Sequence, residues 1–461
     1  MGAVSGPASP RRPGARRRRL APGLVLGLVA GAWLGAAAPP ARAADPVTFG
    51  TASVSSTFLS GISISEPVSM PSDVRRVDAL VRTGDSDRTF TTPVSLPGPG
   101  GSVLQYRFST PSGALIPNTL VDLAFRVTLS DGTSVTGPTS TVRYEDTRYT
   151  WQTITGSLVR VHWIDGSRDF GRGALAIAEK AVRSAASLLG VAETDPIDFF
   201  IYGDRTAFYD VLGPATRENV GAAAFPEIRT VIANISTTDP SDPVVAIYLP
   251  HELTHVVFGD ATANPYHRPL HWLNEGLAVY LSQGYDSGSR HSVESAADDG
   301  SLMPLTALSG QFPTSADRFN LAYDEAVSGV DFMVQTYGRD AVVKLIKTYA
   351  TGVSDDAAFE AGIGVDQAAF ERAWLASLGA PAPDPFGPQP APPGPLPSGW
   401  AAAAPTAGAI GSAPASRAPG NGSASGTGGE SLILLAGVGI AMVVIAIAAE
   451  ATIRRRRRTP S

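Results

Sequence analysis

The chain has no cysteine. Disulfides cannot staple it, and metal sites built on thiolates are excluded. Histidine is nearly as scarce, with 6 in 461 residues, so composition alone does not explain a close pair of them. Net positive charge is lacking where the chain is long enough to fold. The formal net charge is -6, but seven arginines lie in 1–43 and five in 454–458, with no acid in either stretch. Without those twelve, and without Glu450, 24 basic residues face 41 acidic ones over 44–430, a balance near -17. A surface of that sign favours solubility and disfavours nucleic acid and anionic lipid as partners. Long apolar runs are confined to the two ends.

Those ends predict export and anchoring. Residues 1–43 have the build of a signal peptide: a basic PRRPGARRRR, an apolar LAPGLVLGLVAGAWLGAAA, and Ala41-Arg42-Ala43 as a small-x-small cleavage site. The Arg-Arg pairs raise the twin-arginine route, although the general secretory route fits better. At the other end, SLILLAGVGIAMVVIAIAA at 431–449 carries no charge over nineteen residues. At ~1.5 Å per residue such a helix crosses a bilayer once. A transmembrane helix is therefore expected over 430–453, with 454–461 as a basic cytoplasmic tail. Residues 380–429 are rich first in Pro and then in Ala, Gly and Ser. That composition predicts a disordered stalk. The expected protein is single-pass in the cell membrane, its N-terminal domains extracellular and its C-terminus cytoplasmic.

Between these ends the pattern changes once. Over 44–145, Val121, Leu123, Phe125, Val127 and Leu129 alternate, as do Leu104, Tyr106 and Phe108, with Pro and Gly turn signals recurring between. Short alternating strands predict an all-β sandwich of immunoglobulin or fibronectin type. It holds no histidine and no cluster of reactive groups, so a spacer or docking role is expected. Over 146–379 the order is α+β. A strand runs through Val159, Val161 and Trp163, with His162 expected to point to solvent. A helix over 171–190 stops at Gly190, a second strand spans 196–204, and 220–235 reads as a hairpin. A helical part fills 301–379.

The chemistry concentrates in 250–281, PHELTHVVFGDATANPYHRPLHWLNEGLAVYL. H-E-x-x-H at 251–255 sits in an apolar helix expected over about 243–258, closed by Gly259. Positions four apart share a helix face, so His251 and His255 can present two imidazoles to one ion. Glu252 lies about 100° round, beside the ion without having to ligate it. Pro250 either kinks this helix or begins a new one. A second helix, LHWLNEGLAVYLSQG, carries Glu275, whose carboxylate can return to the same ion. Two histidines, a glutamate and an open position suit a catalytic Zn2+. His267 and His271 are alternatives for the third ligand.

H-E-L-T-H with W-L-N-E-G-L-A-V-Y resembles the gluzincins of the peptidase MA-like family of metallohydrolases. The resemblance runs from about 144 to 379. It takes in Y-x-D-x-R-Y-x-W at 144–151, V-H-W at 161–163, the Tyr323 segment and A-F-E-R-A-W at 369–374. It implies a thermolysin-like core: a sheet whose edge strand lines a cleft, an active helix, a glutamate helix and a helical C-terminal part. It implies one zinc ion on His251, His255 and Glu275, Glu252 as general base acting on the zinc-bound water, and Tyr323 as an oxyanion stabiliser. One departure stands out. Thermolysin-type enzymes place an acid four residues after the glutamate ligand, where this chain has Val279, so another group must orient a zinc histidine. The activity expected from the resemblance is hydrolysis of peptide bonds in a peptide or protein substrate. Peptides of a cell-wall polymer are one variant. A silent binding or adhesion protein on a metalloprotease fold is the alternative from another class.

Overall fold

The computed structural model describes residues 47–381 apart from 85, 97–101, 217–219 and 238–241. The signal peptide, most of the stalk and the membrane helix read from the sequence lie outside the described residues. Among the described residues no helix is long and apolar enough to cross a membrane.

Two antiparallel sheets make up the N-terminal part. Their strands are β1 (Thr48–Phe49), β2 (Ser53–Thr57), β3 (Gly61–Ser69), β4 (Val74–Thr83), β5 (Thr89–Val94), β6 (Val103–Phe108), β7 (Leu120–Leu129), β8 (Ser134–Thr136) and β9 (Ser140–Arg143). One sheet has the order β1-β3-β2 with β6 also on β3, and the other β5-β4-β7-β8 with β9 also on β7. The alternation of β7 is realised: Val121, Leu123, Phe125 and Val127 are buried. Ile62, Ile64 and Val68 on β3 meet the same core.

The second part opens with β10 (Gln152–Thr155), β11 (Val159–Trp163), α1 (Arg168–Leu189), β12 (Ile197–Tyr202), α2 (Arg205–Leu212), β13 (Ala222–Phe225) and β14 (Thr230–Asn234). They build a five-stranded sheet of order β10-β11-β12-β14-β13. β11, β12 and β14 run parallel, and β10 and β13 flank them antiparallel. The helix α1 begins on Ser167, whose side chain accepts from Phe170 N, and ends on Gly190 in the left-handed region. It packs so close to β11 that a Cβ on Gly171 would fall 2.4 Å from the Trp163 ring.

The rest is helical: α3 (Pro243–Thr262), α4 (His271–Ser282), α5 (Ser287–Asp299), α6 (Ala316–Tyr337), α7 (Arg339–Tyr349), α8 (Asp355–Ile363) and α9 (Gln367–Ser377). Trp272 of α4 stacks on Phe370 of α9 with centroids 5.8 Å apart. Trp374 Nε1 donates to Ser328 Oγ at 3.2 Å. The A-F-E-R-A-W segment thus forms a floor beneath α4 and α6.

Two expectations are corrected and one open choice is decided. Gly259 does not end the active helix, because α3 continues to Thr262. A Cβ at Gly259 would fall 2.5 Å from Pro226 Cβ, so this glycine permits close packing. Of the two readings of Pro250, a new helix starting there is excluded. The residue lies inside α3, and the carbonyl it leaves without an N–H belongs to Ala246, an exposed residue that water can reach. His162 does not point to solvent. One ring nitrogen lies 2.9 Å from Thr153 Oγ1 and the other 2.9 Å from Asp198 Oδ1, and the ring stacks on Phe200.

Asp198 joins the two parts. Arg160 donates to it twice at 2.6 Å, and Asn118, from the loop before β7, donates at 2.9 Å. Burial alone would raise this carboxyl, but the hydrogen bonds from Arg160, His162 and Asn118 outweigh it and hold it well below the usual carboxylate range. Nearby, Gly113 and Gly213 meet backbone to backbone, where a Cβ on Gly113 would lie 2.8 Å from Gly213 Cα.

Candidate metal centre

The helix α3 starts at Asp242, whose side chain accepts from Val244 N, and Pro243 fills its first turn. Leu249, Leu253, Val256 and Val257 are fully buried, so the helix lies within the core and not upon it. Its one polar cluster is H-E-x-x-H, and it is buried as well: His251, Glu252 and His255 are at most 1% exposed. The two imidazoles are 4.9 Å apart by centroid.

The helix α4 brings Glu275 to them. Glu275 Oε2 lies 3.5 Å from His251 Nε2 and 3.6 Å from His255 Nε2. The ligand atoms of His251, His255 and Glu275 all fall within 4.8 Å of one another, the one such group among the described residues. Glu275 can come this close because its neighbour is glycine. A Cβ on Gly276 would sit 2.3 Å from Ala326 O, so α4 and α6 touch backbone to backbone.

A metal ion fits this arrangement. Both nitrogens of His251, His255 Nε2, both oxygens of Glu275 and both of Glu252 are buried without a hydrogen-bond partner. Polar atoms left so are costly, and one atom each of His251, His255 and Glu275 lies within reach of a common ion. Charge agrees with a ligand set. His255 is pushed down to about 4, by burial above all and against the pull of Glu275. Burial would raise Glu275, but the imidazoles of His255, His271 and His251 outweigh it and hold it at about 2. At neutral pH this gives a neutral imidazole and an ionised carboxylate, the forms that bind a metal. Burial, and then the charge of Glu275, push Glu252 well above the ordinary carboxyl value.

The group that holds His255 in place is Asn274, which the sequence pattern did not single out. Its Oδ1 accepts from His255 Nδ1 at 2.9 Å, so the Nε2 lone pair is left for a metal. The partner is an amide from W-L-N-E-G, and no acid is needed at Val279. The signal was present: an Asn beside the candidate ligand, on a helix that must face α3.

Neither alternative third ligand joins the group. His267 lies 2.9 Å from Asp355 Oδ1 and stacks on Tyr349, fastening the loop before α4 to α8. His271 Nδ1 lies 3.6 Å from Glu275 Oε1, on the far oxygen. Tyr323 does stand at the centre, its ring 6.4 Å from His251. It lies well inside α6, with Phe312 and Phe319 edge-on to it at 5.0 and 5.1 Å.

Residues 177–380 match the Peptidase MA superfamily. The match bears out the resemblance carried by H-E-L-T-H and W-L-N-E-G, although it begins inside α1 and not at 144. The matched segment contains His251, Glu252, His255, Glu275 and Tyr323, and leaves both N-terminal sheets outside. No curated protein matches the chain. Solved structures resemble it at low similarity. An M1 zinc metallopeptidase from Deinococcus radiodurans is 13% identical, with a TM-score of 0.33 over 72% of this chain and 93% of that one. An aminopeptidase N family protein from Idiomarina loihiensis is 13% identical, with a TM-score of 0.33 over 68% and 58%.

Proposed function

We propose that the chain is a zinc-dependent peptidase that hydrolyses peptide bonds, displayed outside the cell on its C-terminal apolar segment. One observation carries the reading: two histidines and a glutamate converge in the core with their ligand atoms unpartnered, and a buried Glu252 stands beside them.

His251, His255 and Glu275 would hold the ion. Zinc, when bound there, supplies a Lewis acid that polarises a carbonyl and acidifies water. Glu252 accepts a proton from the attacking water and returns it to the leaving amine. A carboxyl pushed upward by burial binds a proton more readily than an exposed one, as this shuttle requires. Asn274 keeps His255 in the tautomer that leaves Nε2 open. The Tyr323 hydroxyl stabilises the negative charge that develops on the carbonyl oxygen.

The test is Glu252→Gln in the full chain. Bound zinc should stay at one equivalent while turnover of a peptide library falls by about 10²- to 10⁴-fold. Unchanged turnover refutes the role of Glu252. A wild-type chain that cleaves nothing and holds no zinc would instead favour the binding-protein alternative, which the intact set of four residues speaks against.

A further inference from the structure

We propose that His271 is a positioning residue for the metal centre, holding one oxygen of Glu275 so that the other is presented to the ligand histidines. The inference rests on the metallopeptidase reading above.

The surroundings of Glu275 are asymmetric. Oε2 faces His251 Nε2 and His255 Nε2, at 3.5 and 3.6 Å. Oε1 faces His271 Nδ1, at 3.6 Å. A carboxylate can ligate through either oxygen or both, and rotation about its last bond exchanges them. An N–H beside Oε1 breaks that symmetry. The separation is electrostatic contact and not yet a hydrogen bond; about half an ångström of closure would make it one.

His271 is well held for this task. It is the first residue of α4 and stands one turn before Glu275, so the two side chains share a face. Its backbone N–H donates to Ser309 O at 3.0 Å. Its ring lies against Phe312 at 4.7 Å, and Phe312 is itself buried. The His271 side chain is 22% exposed and that of Glu275 0%, so the imidazole stands between the buried carboxylate and solvent. Packing alone would be served by phenylalanine or leucine. What the imidazole adds is a donor beside an oxygen that otherwise has no partner. Asn274 does the matching job for His255 from the same turn. Two of the three ligands thus draw a polar neighbour from the start of α4, whereas His251 Nδ1 has none.

The experiment measures zinc affinity of the full chain by competition with a chromophoric chelator, and the visible spectrum of the cobalt(II)-loaded protein. His271→Phe keeps the packing and removes the donor, and His271→Gln keeps a donor. His271→Phe should bind zinc about 10- to 100-fold more weakly and alter the cobalt bands. His271→Gln should stay within about threefold of wild type, in the range of a retained outer-shell contact. Equal affinity and an unchanged cobalt spectrum for His271→Phe would overturn the proposal while leaving the metal reading intact. A parallel loss in both variants would also overturn it, since the donor would then not be what matters. A wild-type chain that takes up neither metal would overturn the metal reading and this inference together. Should His271→Phe fail to fold, His271→Met replaces it as the donor-free variant with the same expected loss.

Discussion

Glu325→Gln should stabilise the protein at pH 8 and hardly at all at pH 5. Glu325 lies on α6, two residues past Tyr323, and is fully buried. Its Oε1 accepts from Met303 N at 2.9 Å, and its Oε2 has no partner. Burial pushes this carboxyl up to about 8, against the smaller lowering effects of Met303 and Arg318. The sign follows from the direction. Below about 4.5 both folded and unfolded chains hold the proton, and between 4.5 and 8 only the folded one does. Stability is therefore present at low pH and lost as pH rises through that window. At about 1.4 kcal/mol per unit the full loss is bounded at about 4 to 5 kcal/mol. Glutamine has the same shape and nothing to ionise. Burial also raises Glu66, Glu193 and Asp324, so the difference between the two proteins is the readout, not the wild-type slope. Urea unfolding at fixed metal content should give a difference below about 1 kcal/mol at pH 5 that grows to about 2 to 4 kcal/mol at pH 8. A difference that does not change with pH would refute the reasoning.

Gly276→Ala should cost about 1 to 2 kcal/mol by urea unfolding, because the clash with Ala326 O outweighs about 1 kcal/mol of gained helix propensity. A more stable variant would show that α4 and α6 can part freely. Asn274→Ala should weaken zinc binding about 10- to 100-fold in a chelator competition, and Asn274→Asp should restore most of it. Tyr323→Phe should lower kcat by about 10- to 100-fold with zinc content and KM little changed. An unaltered kcat would reduce Tyr323 to a packing residue against Phe312 and Phe319.

What was legible in the sequence was what depends on near neighbours. His251 and His255 follow from a four-residue spacing, and the burial of Val121, Leu123, Phe125 and Val127 from alternation. What was hidden depends on what lies across a contact. Strand alternation places His162 on a face but cannot say that Thr153 and Asp198 cover it. Gly259 carries the local signal of a helix stop, and only the approach of Pro226 explains why it stands mid-helix. Asn274 stood beside a residue that was read as a ligand, but only the contact across α3 and α4 shows that its amide, and not an acid at 279, meets His255. The helices α2, α5 and α8 gave little signal for a plainer reason. Only Val293 and Ala296 of α5 are buried, too few to print a periodic stripe, while α2 and α8 are short.

The two helices of the centre solve different problems. α3 is apolar around most of its surface, so its two histidines and Glu252 are an intrusion of polarity into the core that costs stability unless something binds there. α4 meets that intrusion with a single crowded turn. Successive residues of a helix point about 100° apart, so the stretch 271–276 faces every direction. In that turn His271 reaches Glu275 Oε1 and Trp272 stacks on Phe370. Asn274 accepts from His255, Glu275 faces both ligand histidines, and Gly276 meets Ala326 O. Four of the five have partners on other helices, so a change at one of those positions cannot be absorbed by turning α4: rotation that relieves one of these contacts disturbs the other three. That is why W-L-N-E-G reads as a block and not as a lone glutamate. The precision of the metal centre therefore rests on the turn that delivers Glu275 as much as on the histidine pair that marks it in the sequence.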